Sequence, residues 1–86
     1  MQTFTQLESE LLAEGVRPSA FRINNTPTDG AYCIQFDGQT TEVFTPERGI
    51  KFDLAVFEDQ EQGMTEFKNR VLADQTTRSD WDGTVT

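Results

Sequence analysis

Apolar residues at Phe4, Leu7, Leu11 and Leu12 recur at the three- and four-residue spacing of one helical face and predict an amphipathic helix over residues 4–14. Two capping boxes compete for its start, Thr5 with Glu8 and Thr3 with Gln6, and Gly15 supplies a left-handed residue to end it. Pro18 blocks continuation and favours an extended Arg17. From Phe21 the period drops to two. Phe21 and Ile23 alternate with Arg22 and Asn24 as in a half-buried strand, and the run Asn24-Asn25-Thr26-Pro27-Thr28-Asp29-Gly30 is a loop built from turn-forming residues.

Tyr32, Ile34 and Phe36 mark a second strand. Asp37-Gly38 then has the form of a two-residue type I′ hairpin, whose two central positions need positive φ. That loop pairs Phe36 with Gln39, Ile34 with Thr41 and Tyr32 with Val43, which puts these residues on the core face. Cys33 pairs with Glu42 on the other face, beside Ala31 and Phe44. After the break at Pro46-Glu47-Arg48-Gly49, Phe52, Leu54 and Val56 alternate with Lys51, Asp53 and Ala55 as a further strand.

Helical spacing returns over residues 58–73 with Met64, Phe67, Val71 and Leu72. Glu58, Asp59 and Glu61 at its start and Lys68 and Arg70 toward its end suit the helix dipole. Gly63 inside the helix costs about 1 kcal/mol relative to Ala, and an irregular first turn is the expectation. The expected fold is α+β: a small antiparallel meander of three to four strands packed with an N-terminal and a C-terminal helix. Residues 1–74 form the domain and residues 75–86 a polar tail, with Trp81 expected to fold back on the domain.

Composition adds charge to this picture. Fifteen Asp and Glu against seven Lys and Arg give a net charge of −8 over 86 residues, a surface that repels nucleic acid and anionic membranes and attracts basic proteins. The single cysteine, Cys33, cannot form an intrachain disulfide and sits in an apolar run. No signal-like start and no membrane-length apolar window is present. A cytoplasmic location is the expectation.

Catalytic chemistry finds little to work with. Histidine is absent, Ser9, Ser19 and Ser79 lie in no nucleophile motif, and the six glycines are dispersed and form no phosphate-binding loop. Glu42, Glu47, Asp53 and Glu58 are near enough in the chain to meet, but so acidic a chain produces such pairs by chance, and a small domain offers little apolar surroundings to raise a carboxylate's pKa. Asp29, Asp37 and Asp53 lack the spacing of a calcium loop. The reading is of a chain that is not an enzyme and carries no cofactor or metal.

The segment that stands out is Glu42-Val43-Phe44-Thr45-Pro46-Glu47-Arg48-Gly49, an apolar strand running into a charged turn. Two readings of it compete. In the structural one, Arg48 makes a local ion pair that fixes the turn and Gly49 supplies positive φ. In the functional one, Glu42 and the turn at Glu47 and Arg48, with Asp53, Glu58, Asp59 and Glu61, form an acidic rim that meets a basic partner, with Phe44 as apolar anchor.

With Phe44, Glu47, Arg48, Gly49, Phe57, Glu58 and Phe67 in this order over residues 4–73, the chain resembles the small immunity proteins of bacterial polymorphic-toxin and contact-dependent inhibition systems. Thr45-Pro46 stands where those families carry a single Ser. The resemblance implies a protein that binds a cognate toxin domain, a basic nuclease among the candidates, and occludes its active site. Two other readings compete: an acidic inhibitor or nucleic-acid mimic of another protein, and a non-catalytic adaptor that oligomerises through a strand edge. Direct nucleic-acid or membrane binding is not expected, and the free protein is expected to be a monomer or weak homodimer.

Overall fold

The computed structural model describes residues 3–78, which fold as helix α1 (Phe4–Ala13), strands β1 (Phe21–Ile23), β2 (Tyr32–Phe36), β3 (Thr41–Glu47) and β4 (Ile50–Phe57), and helix α2 (Gln60–Ala73). The strands form one sheet in the order β1-β2-β3-β4, so β4 is a full-length edge and β1 a three-residue edge. The expected α+β class with a helix at each end is present. The sheet is mixed: β1 runs parallel to β2, while β2, β3 and β4 are antiparallel.

Leu7, Leu11, Val16, Phe21, Ile34, Val43, Met64, Phe67 and Val71 make the core between the helices and one face of the sheet. Phe21 meets Phe67 edge to face at 6.5 Å, the arrangement that aromatic quadrupoles favour. Helix α1 starts at Thr3, whose hydroxyl accepts from the Gln6 amide while the Gln6 side chain accepts from the Thr3 amide. Of the two boxes, this one caps the helix. At the other end Gly15, with φ +90°, and Val16 donate to the carbonyls of Leu12 and Leu11, a Schellman closure in which Val16 and Leu11 both bury their side chains.

Two hairpin expectations are corrected. Residues 37–40 connect β2 to β3, and the Asp37 carboxylate accepts from the amides of Gln39 and Thr40. Phe36 therefore pairs with Thr41 and Ile34 with Val43, two residues from the expected register. A slip of two keeps every side chain on its face. The type I′ turn lies instead at Arg48-Gly49, with φ of +52° and +80° between the paired Glu47 and Ile50.

On the face away from the helices, Cys33 and Phe44 are nonetheless buried. Among the bonds that tie the connection from β1 to β2 to its neighbours, Arg22 Nε donates to Thr28 Oγ1, the Gly30 amide to the Pro46 carbonyl, and the Arg48 amide to the Asp29 carboxylate. The Cys33 thiol lies 3.7 Å from the Ala31 carbonyl. Lys51 extends over the Phe44 ring, 4.9 Å from its centre, to reach Glu42 at 2.5 Å.

Helix α2 begins at Asp59, whose carboxylate accepts from the Glu61 amide. Gly63, expected to be a local cost, is buried against Thr41 of β3: a Cβ there would lie 2.5 Å from Thr41 Cγ2. The missing side chain lets helix and sheet approach. The polar segment after α2 also contributes. Residues 75–77 form a 3-10 turn capped by Asp74, with Thr77 buried and its hydroxyl within bonding distance of the Val71 and Asp74 carbonyls. The Arg17 amide donates to the Thr77 carbonyl, the Arg17 guanidinium to Thr76, and the Arg78 guanidinium to the Glu14 carbonyl. The end of the described chain is thus held against the segment that follows α1. Trp81 lies outside the described residues.

Candidate functional site

Among the described residues strand β4 has no neighbour on its outer side and leaves four large apolar side chains in solvent: Ile50 58%, Phe52 46%, Leu54 47% and Val56 55% exposed. An unpaired strand edge offers its N–H and C=O groups to another chain, and apolar side chains along it strengthen that tendency. The sequence pattern puts Phe52, Leu54 and Val56 on one face of a strand, and a β-bulge divides them between two faces.

Val43 pairs with Ala55 and Thr45 with Phe52, leaving an extra residue in β4 between those pairs. Asp53 there takes φ +53°, and the alternation of faces shifts across it. Val56, paired with Glu42, lies on the open face, and Leu54 shares that face. Phe52 and Ile50, paired with Thr45 and Glu47, fall on the α2 side. Arg70 in the last turn of α2 donates to the Asp53 carbonyl at 2.7 Å and also binds Glu66 at 2.7 Å. Ile50 and Phe52 lie at or beyond that end of the helix, which leaves them uncovered.

Between the end of β4 and the outer face of α2 runs an open groove of about 590 Å³, lined by Phe57, Asp59, Glu61, Gln62, Thr65, Glu66 and Asn69. Of the expected rim, Asp59 and Glu61 meet in this groove, Glu58 is exposed in the short turn before it, and Asp53 is exposed at the bulge. Glu47 and Arg48 stand exposed at the β3-β4 hairpin tip, at the other end of β4. Among the described residues no carboxylate ion-pairs with the Arg48 guanidinium. Glu42 is on the open face and is held by Lys51.

Phe44, expected as an apolar anchor, is 1% exposed and covered by Lys51, so it is a packed residue and offers a partner nothing. The exposed apolar residues of β4 take that place, joined by Glu66 as a further acidic residue of the groove. One signal for them is in the sequence: a strand before the last helix with six apolar residues and only Lys51 and Asp53 charged.

Away from β4, burial raises the Cys33 thiol pKa, and amide hydrogen bonds from Thr40 and Gln39 hold the Asp37 carboxyl below its ordinary range. Asp74 is likewise lowered, first by the Thr76 hydroxyl and further by the Thr76 amide and the Tyr32 hydroxyl, which donates at 2.9 Å. These groups organise loops and the chain-end clasp, and lie apart from the groove. No group of three metal-ligating side chains is arranged around a common point among the described residues, and none of their helices is long and apolar enough to cross a membrane. Compared with protein-family models, curated proteins and solved structures, the chain matches none.

Proposed function

We propose that this chain is a non-catalytic protein-binding domain that docks a basic partner along β4, and that it acts as an immunity protein, occluding the active site of a toxin domain. The observation that carries the docking reading is the exposed apolar edge of β4 beside a groove lined by Asp59, Glu61 and Glu66. Apolar contact area supplies affinity, and the surrounding carboxylates, on a chain of net charge −8, supply steering and selection of partner. The toxin as partner comes from the resemblance to immunity proteins.

The test is capture of a partner from the cells that make the protein, followed by co-expression of the two. The reading expects a basic protein that arrests growth alone and is silenced by this chain. Leu54→Ser with Val56→Ser abolishes the silencing, and added salt slows association. A captured protein that is acidic, or whose binding ignores both β4 substitutions, contradicts it.

A further inference from the structure

The edge of β4 has a definite length and two unlike sides, and these restrict what fits it. At Asp53 the bulge interrupts the strand, and the Asp53 carbonyl is already taken by Arg70. At the other end the chain turns into α2 through Glu58 and Asp59. Residues 54–57 are the uninterrupted edge between these limits, and every second residue of such an edge points its N–H and C=O outward.

We infer that the partner enters as an added β-strand, an extended segment pairing with residues 54–57 and alternating apolar with basic side chains. This rests on the reading of β4 as the docking edge. Successive side chains of a strand point to opposite faces. Those on the open side meet Leu54 and Val56, which are exposed and apolar. Those on the α2 side enter the groove, where Asp59 and Glu61 carry charge and Glu66 is already engaged by Arg70. Lysine or arginine belongs at these positions. The backbone supplies affinity through main-chain hydrogen bonds and the alternation supplies selectivity.

A second copy of this chain is a poorer occupant. Residues 54–57 are Leu-Ala-Val-Phe, so self-pairing brings no cation into the acidic groove, and Lys51 is held by Glu42. Two bodies of charge −8 also repel. The bulge at Asp53 further opposes pairing along the whole strand.

The experiment uses the full chain and synthetic peptides of about nine residues, a common strand length. One peptide alternates Lys with Val, one alternates Glu with Val, and two copies of the first carry N-methyl groups on the Lys amides or on the Val amides. N-methylation on one set blocks one edge of the peptide strand and leaves its side chains in place. Amide NMR shifts and hydrogen exchange locate binding.

The inference expects the Lys-Val peptide to bind, to shift residues 54–57 and the groove residues, and to slow exchange along β4. The Glu-Val peptide does not bind, and one of the two methylated peptides loses about tenfold or more in affinity. Equal binding by both methylated peptides overturns strand addition and leaves the basic-partner reading standing. Failure of the Lys-Val peptide to bind at low salt overturns both. A homodimer with β4 amides protected before any peptide is added gives the edge to a second copy and overturns strand addition by a partner.

Discussion

Replacing Gly63 by alanine tests how helix and sheet come together. In an open helix the change stabilises, because Ala exceeds Gly in helix propensity by about 1 kcal/mol. Here the new Cβ would lie 2.5 Å from Thr41 Cγ2, 3.0 Å from Thr41 Cβ and 3.5 Å from Phe57 Cδ2. Carbon atoms in contact prefer about 3.5 to 4.0 Å, so the overlap with Cγ2 is about 1 Å. Thr41 is fully buried and paired to both Phe36 and Phe57. It has little room to give way. An overlap of about 1 Å with a fully buried residue belongs in the upper part of the range for overpacking, about 2 to 3 kcal/mol, and after the propensity gain of about 1 kcal/mol a net loss of about 1 to 2 kcal/mol remains. In a domain of this size that lowers Tm by roughly 5 to 15 °C.

Thermal and urea unfolding measure the effect. Thr41→Ala supplies the second arm, because the buried Thr41 hydroxyl has no hydrogen-bond partner among the described residues, so the substitution loses a methyl and no hydrogen bond. The double variant is expected to recover about 1 kcal/mol or more relative to additivity. A Gly63→Ala protein as stable as the parent, or a double variant that is strictly additive, refutes the close-approach argument.

Arg48→Asn is expected to raise stability by about 0.5 kcal/mol in urea unfolding, since Asn tolerates the positive φ that Arg48 adopts in its type I′ turn. Gly49→Ala at the next position, φ +80° with open space around it, lowers stability by about 1 kcal/mol through backbone strain alone. The depressed carboxyls of Asp74 and Asp37 add stability that is present above the ordinary aspartate pKa, about 3.9, and is lost as pH falls below it. A Tm profile should therefore be level from about pH 7 to 5 and fall below about 4, less steeply in Asp74→Asn. Cys33, buried and with a raised thiol pKa, reacts with a thiol reagent only at the rate of opening in the native protein and rapidly in denaturant.

Both helices are legible because their apolar residues repeat at helical spacing, from Phe4 to Leu12 and from Met64 to Leu72, and their boundaries shift by at most two residues. The hairpins were less so. Asp37-Gly38 has the favoured composition for a type I′ turn, yet the Asp37 carboxylate binds the amides of Gln39 and Thr40 and opens a wider loop. At Arg48, close pairing of Glu47 with Ile50 imposes the positive φ that residue type does not advertise. Direction was invisible in β1, since three residues alternate equally well in a parallel or an antiparallel pair. In β4 the alternation puts Phe52, Leu54 and Val56 on one face, and a single extra residue at Asp53 divides them between two sides. Phe44 looked like an anchor beside a charged turn, but a lysine two residues past that turn reaches back to cover it. Helix propensity alone makes Gly63 a cost, and what requires it is a residue 22 positions earlier, Thr41.

Hydrogen exchange on the complex with the captured partner tests the central claim most directly. The account predicts new protection concentrated in residues 50–59 and on the outer face of α2 around Glu61, Thr65 and Asn69. Protection confined to α1 or to the loop of residues 24–30, with β4 exchanging as in the free protein, contradicts it.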